Sequence, residues 1–135
     1  MGNVLVDAGF LIALLGRRDS NHTWAVIQAK RFPPPWRTCE AVLSEAFHLL
    51  GSRGTPAIRA LLRREAVLLS FGFAENLDDV LKLMEKYDDV PASLADTCLV
   101  RMTEILDSPM ILTTDADFHL YRRHGRQAVP CVTPS

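Results

Sequence analysis

The sequence predicts an α/β fold in three layers, with a central parallel sheet of about five short strands and helices on both faces. Three observations point there. Short apolar or β-branched runs alternate with helical stripes, no Asn-Gly or similar turn joins two strands as a hairpin, and 135 residues at 48% hydrophobic and 23% charged suit one buried core. A single domain spanning residues 1–135 is therefore expected.

Residues 3–7, Asn-Val-Leu-Val-Asp, read as a buried strand ending in an acid, and Ala8-Gly9 lets the chain turn. Residues 10–15 read as a short helix stopped by Gly16, and Asp19-Ser20-Asn21 offers caps for a second helix reaching about Arg31. Pro33, Pro34 and Pro35 end that helix and give way to a strand at Trp36-Arg37-Thr38. Thr38 can cap a helix whose apolar positions, Val42, Ala46, Leu49 and Leu50, fall at helical spacing until Gly51 closes it. Pro56 starts a further helix through Arg64, and residues 66–71 form an apolar strand or buried segment. Leu77, Val80, Leu81 and Met84 make the next stripe, with Glu75, Asp79 and Glu85 on its wet side. Asp88-Asp89-Val90-Pro91 breaks that pattern. Ser93 then caps a long helix with the stripe Ala95, Cys98, Leu99, Met102, Ile105 and Leu106. Residues 110–113 supply a strand ending at Thr114-Asp115, a short helix follows at 118–122, and a last strand lies near 128–132.

The formal net charge of −1 gives no overall basic field to attract nucleic acid. Its distribution is lopsided: residues 1–67 hold nine Lys or Arg against five Asp or Glu, and residues 68–135 hold six against eleven. Cys39, Cys98 and Cys131 are widely spaced, which suits a reducing, cytoplasmic setting. The apolar run at 8–15 falls far short of the ~20 residues that cross a bilayer, so no membrane association is expected.

In an open parallel sheet, ligands bind beyond the carboxyl ends of the strands, where the connecting loops diverge. Asp7, Asp115 and Asp117 follow predicted strands, Asp96 sits in the first turn of a helix, and Glu45 lies about two turns into the helix after the second strand. Each has an ordinary local alternative: a turn residue at Asp7, a capping box at Ser93-x-x-Asp96, a helix cap at Asp115-x-Asp117, an exposed helix position at Glu45. Their common side of one sheet is what favours a site. Glu40 competes with Glu45, but five helical residues rotate by about 140°, so both cannot face one ion. Glu40 suits the helix dipole in the first turn, which leaves Glu45. So many carboxylates in one crevice call for a divalent cation, and oxygen ligands without Cys or His partners select Mg²⁺ or Mn²⁺. Such an ion takes phosphate readily, which points to hydrolysis of a phosphodiester.

Four segments carry a resemblance: Val-Asp-Ala-Gly-Phe-Leu-Ile-Ala-Leu-Leu at 6–15, Thr-Cys-Glu-Ala-Val-Leu-Ser-Glu-Ala at 38–46, Ser-Leu-Ala-Asp-Thr at 93–97 and Leu-Thr-Thr-Asp-Ala-Asp-Phe at 112–118. Together they resemble a PIN-domain ribonuclease over nearly the whole chain, and within that family are most similar to the VapC-type toxins of bacterial toxin-antitoxin pairs. The resemblance implies a PIN-like three-layer fold and a Mg²⁺- or Mn²⁺-dependent endoribonuclease acting on RNA. It carries the family's acids to Asp7, Glu45, Asp96 and Asp115 as catalytic and metal-holding residues, with Asp117 as an accessory ligand. Thr114 would be a hydroxyl beside the site or a plain turn residue. An antitoxin protein and a homodimer are the partners it implies, and the residues themselves leave both open. Phe10 stands where a Pro or Ser is common in the family, which affects the loop's shape and leaves the acids intact.

Weaker signals accompany these. Arg59, Arg63 and Arg64 form a helix edge able to follow RNA phosphates or simply to face solvent. Gly51-Ser52-Arg53-Gly54 satisfies the G-x-x-G of KH domains but fits a helix stop better. Phe10, Leu14 and Phe47 suit a partner groove or the core equally, and Trp24 and Trp36 suit core packing over base stacking. Phosphoryl transfer through an Asp7 nucleophile is disfavoured because no Lys follows Lys86. The remaining alternative is a catalytically inactive PIN-like module that binds RNA or protein without cutting.

Overall fold

The structure, a computed structural model, describes residues 2–135. The chain runs through β1 (Asn3–Val6), α1 (Ala8–Leu15), α2 (His22–Arg31), β2 (Trp36–Thr38), α3 (Glu40–Arg63), β3 (Val67–Leu69), α4 (Leu77–Lys86), α5 (Leu94–Ile105), β4 (Pro109–Leu112), β5 (Arg122–Arg123), β6 (Gln127–Ala128) and β7 (Cys131–Val132). Single 3-10 turns lie at Ala74–Asn76 and Ala116–His119. Five strands make one parallel sheet in the order β3-β2-β1-β4-β7, with the five helices on its faces. From β1 the chain first builds outward to β2 and β3, then crosses to the other side for β4 and β7. The order therefore reverses between β1 and β4, the place where neighbouring loops part and leave a crevice.

The β-branched and leucine-rich run of β1 is central because it must be covered on both faces. Leu5 and Val6 are fully buried, as are Ile111 and Leu112 of β4, to which they are paired in register. Each such side chain contributes about 1.5–3 kcal/mol by leaving water. Phe10 and Leu11 carry α1 onto this layer, and Leu99 does the same for α5. The Phe10 ring meets Trp24 and Trp36 edge-on, at 6.1 and 5.4 Å between centroids. Trp36 Nε1 donates to the Phe32 carbonyl at 2.7 Å, so this large ring is buried with its one polar atom satisfied. Phe10 thus belongs to the core, and Leu14 and Phe47 pack half-buried against it.

Several elements depart from the sequence reading for local reasons. Thr38 does not cap α3; it ends β2 and its hydroxyl donates to the Val6 carbonyl at 2.8 Å, while Cys39 holds the N-cap position. Gly51 does break the helix, at φ 65° and ψ −171°, but one residue absorbs the whole bend. The two helices predicted on either side of Gly51 are therefore both present, as the two segments of the kinked α3, with Pro56 inside the second. On α4 the buried residues are Val80 and Leu83, whereas Leu77 and Leu81 are more than 40% exposed. Two overlapping helical stripes exist in that sequence, and only packing against α5 decides between them. A hairpin is also present: β5 and β6 pair antiparallel around a turn with His124 and Gly125 at φ 51° and 85°. Left-handed conformation at a histidine is unusual enough that no Asn-Gly type signal announced it. No helix among the described residues is long and apolar enough to cross a membrane.

Candidate functional site

Asp7 leaves the carboxyl end of β1 and becomes the N-cap of α1, where its Oδ1 accepts from the Phe10 N–H at 2.8 Å. Its Oδ2 accepts a hydrogen bond from the Thr113 hydroxyl. Thr113 Oγ1 in turn accepts from the Asp115 N–H at 2.9 Å, and Asp115 Oδ1 accepts from the Asp117 N–H at 2.9 Å. This chain of bonds locks the end of β1 to the loop after β4 across the switch point. Thr113 is there because the parallel register that pairs Val6 with Leu112 sets the next two residues side by side.

Asp96 arrives from another direction. Its N–H donates to Ser93 Oγ at 3.0 Å and its Oδ2 accepts from the Ser93 N–H at 3.2 Å, a complete capping box at the start of α5. Tyr121 OH donates to the same Oδ2 at 3.2 Å. Capping and site are therefore not alternatives at this residue. Glu45 reaches the same place from the exposed side of α3. A cleft of about 180 Å³ is lined by Asp7, Glu45, Asp96, Thr114 and Asp115, with Ile12, Val42, Leu49 and Ala95 as its apolar walls. Gly9 also borders it: a Cβ there would come within 2.1 Å of Thr114 Oγ1, so glycine makes room for that hydroxyl.

None of the side chains lining the cleft is cationic, and the electrostatics follow from that. Burial pushes Asp7 up to about 7, against the opposing pull of its bonds from Thr113 and Phe10 and with added repulsion from Asp96 and Asp115. Partial burial of its carboxyl in the cleft raises Glu45 as well, and the charges of Asp96 and Asp115 add to it. Asp96 is raised chiefly by burial, although the Ser93 N–H and Tyr121 hold it down. Among the described residues no three His, Cys, Asp or Glu side chains are gathered tightly enough to cage an ion unaided. The donor set nevertheless fits a hard divalent cation: all oxygen, anionic, without a protein counter-charge, and open enough to leave water in the coordination shell.

The remaining sequence candidates lie elsewhere. Asp117 is in the 3-10 turn beside the cleft and does not line it. Glu40 faces a separate apolar cavity with Cys39, Phe71 and Leu94. Arg59, Arg63 and Arg64 are exposed, and none borders the acids. Arg63 and Arg64 lie three and two residues before Ala66, whose carbonyl accepts from the Trp36 N–H, which sets them toward the amino-terminal end of the sheet. Gly51 to Gly54 belongs to the α3 kink. Thr113 and Tyr121 are the two site partners that sequence reasoning missed. The doublet Thr113-Thr114 was visible, but choosing between its members requires the register across β1 and β4.

A doubly wound parallel sheet with an all-carboxylate cleft at its switch point is the class that fold and cleft define. More particularly, the chain belongs to the PIN domain family, whose model matches residues 4–123. Among solved structures it is similar to VapC20 of Mycobacterium tuberculosis, a toxin described as cleaving the sarcin-ricin loop. The TM-score is 0.72 at 23% sequence identity, covering 85% of this chain and 92% of that one, so the likeness is one of fold. No curated protein matches the chain.

Proposed function

We propose that this protein is a divalent-cation-dependent endoribonuclease of the VapC type, hydrolysing RNA phosphodiester bonds in the cleft between β1 and β4. The observation that carries the reading is the convergence of Asp7, Glu45, Asp96 and Asp115, from four separate stretches of chain, on one cleft with no cationic side chain in its lining. Membership of the PIN family and the RNA-cleaving description of VapC20 support it. Those four carboxylates would hold Mg²⁺ or Mn²⁺, which supplies the positive charge that attracts a phosphate and makes water acidic enough to attack it. Asp7 is aimed by Phe10 and Thr113, and Asp96 by Ser93 and Tyr121, so neither must reorganise to act. Glu45, at the exposed rim, would also accept a proton from water. The Thr114 hydroxyl, admitted by Gly9, can donate to a phosphate oxygen. Ile12 and Leu49 give the cleft apolar lips.

An antitoxin partner, a homodimer and a cytoplasmic setting complete the proposal on the strength of the family resemblance, and all three cysteines are free thiols. Phe10 is unavailable to any partner, being fully buried. The lack of a tight three-ligand cage is the observation that favours the other reading, a non-cutting RNA- or protein-binding module. Incubating the protein with RNA in Mg²⁺ or Mn²⁺, and in chelator, separates the two. Cleavage at reproducible ends only with the ion supports the nuclease; no cleavage in any condition supports the binding module.

Thr113→Val should lower cleavage roughly 10–100-fold, as expected when a group orienting a ligand is lost. Thr113→Ser, which restores the hydroxyl, should recover most of it. Equal rates for wild type and Thr113→Val would show that the hydroxyl does not position Asp7 for the reaction.

A further inference from the structure

The end of the sheet opposite the carboxylates holds a cavity of contrary charge. It has a volume of about 390 Å³, lies where β1 and β2 begin, and is bordered by Asn3, Arg31, Phe32, the Pro33 to Pro35 run and Arg37. We propose that this cavity is a phosphate-binding site, taking the phosphate of an RNA strand or of a mononucleotide between Arg31 and Arg37.

Both guanidinium groups are held in place while most of their donors stay free. Asn3 Nδ2 donates to the Asp107 carbonyl at 2.7 Å, which turns its Oδ1 toward Arg37 Nε at 3.1 Å. Arg37 therefore has one nitrogen anchored and its terminal nitrogens without a protein partner among the described residues. Arg31 Nη1 donates to Gln28 Oε1 at 3.2 Å, and its guanidinium lies 5.2 Å from the centre of the Phe32 ring. Neither arginine is paired with a carboxylate: the ion pairs among the described residues involve only Lys82 and Arg101. A planar fork fixed at one corner and open at the other matches two oxygens of a phosphate. The proline run gives the cavity a stiff rim that needs no ordering on binding, with apolar surface against which a ribose or base can lie.

Helix α2 explains part of this without a ligand, since Arg31 in its last turn complements the helix dipole. That account does not reach Arg37, which projects from a strand and is oriented by a neighbouring strand's asparagine. The RNA form of the proposal rests on the nuclease reading above; the phosphate site itself does not.

The test titrates wild-type protein, in chelator so that nothing is cut, with adenosine monophosphate and separately with a short single-stranded oligoribonucleotide. Backbone amide resonances are followed by NMR. Shifts centred on Asn3, Phe32 and Arg37 with both ligands establish a general phosphate site, and shifts with the oligonucleotide alone establish an RNA-strand site. No shift there with either ligand overturns the inference. A second arm measures oligonucleotide affinity against salt. Arg31→Ala/Arg37→Ala should bind roughly tenfold more weakly, with a salt slope lower by about 0.7 for each phosphate no longer neutralised. Arg126→Ala, which removes an exposed hairpin arginine, should leave both values unchanged. An unaltered slope in the double variant also overturns the inference, even if the wild type proves to cut RNA. Loss of binding in the double variant without any cleavage by wild type would keep the phosphate site and remove the nuclease reading. Because Arg37 also holds Asn3, Arg31→Ala alone is included; it removes an exposed side chain and should show a smaller loss in the same direction.

Discussion

Asp7→Asn should abolish RNA cleavage, by roughly a thousandfold or more and thus about 4 kcal/mol of barrier, while making the metal-free protein more stable at neutral pH. The two effects share one cause. Asp7 is a carboxylate only 8% exposed at the bottom of an anionic cleft, and burial pushes it up to about 7 from an ordinary 3.8. A folded-state pKa above the unfolded one means that the native state binds the proton more tightly. The resulting stabilisation is complete below about pH 4 and is lost as pH rises toward 7, to a limit of about 4 kcal/mol. Asparagine keeps an acceptor for the Phe10 N–H and removes the buried charge, so the variant should show a much shallower fall in melting temperature over that window, the remainder coming from the raised Glu45 and Asp96. Wild type should melt lower at pH 7.5 than at pH 5 in chelator, and Mg²⁺ or Mn²⁺ should recover part of the difference for wild type alone. Thermal scans at the two pH values check this. A variant less stable than wild type at pH 7.5, or one that still cuts RNA, contradicts it.

Phe10→Ala should cost about 3–5 kcal/mol of stability, lowering the melting temperature by roughly 10–20 °C. The ring has no exposed surface and sits edge-on to both Trp24 and Trp36, in a layer packed directly on β1. Its removal leaves a cavity between two large aromatic rings that cannot close over it. The backbone N–H that holds Asp7 is retained, so cleavage per folded molecule well below the melting temperature should stay within a few-fold of wild type. Chemical denaturation measures the first effect and a rate at low temperature the second. A loss under about 1 kcal/mol would mean that the ring is not the anchor of this layer.

How far the molecule could be read from its residues depends on whether the deciding interaction is local. The strand leading into Asp7 and the Ser93 capping box are set within a few residues, and they stand where the sequence reading placed them, whereas Ala8-Gly9, read as a turn, is already the start of α1, which Asp7 caps. The convergence of the four acids on one cleft was inferable from topology, because strand ends in a parallel sheet lie on one side. The partner of Asp7 was not inferable. Thr113 and Thr114 are chemically alike, and a register spanning 106 residues of chain selects the first. The break of α3 at Gly51 is local and falls where the sequence reading put it, whereas the buried stripe of α4 depends on α5. The arginine cavity escaped for the same reason: Asn3 and Arg37 become neighbours only when β1 and β2 pair.

The most direct test of the carboxylate cleft as the working centre is titration of the ¹⁵N-labelled protein with Mn²⁺, whose paramagnetism broadens nearby amide signals. Broadening should begin at Asp7, Glu45, Asp96 and Asp115 and should be strongly weakened by Asp7→Asn. Broadening that centres instead on the exposed acids of α4 and the loop after it, Asp78, Asp79, Asp88 and Asp89, or that is absent, would contradict a metal-holding role for the cleft.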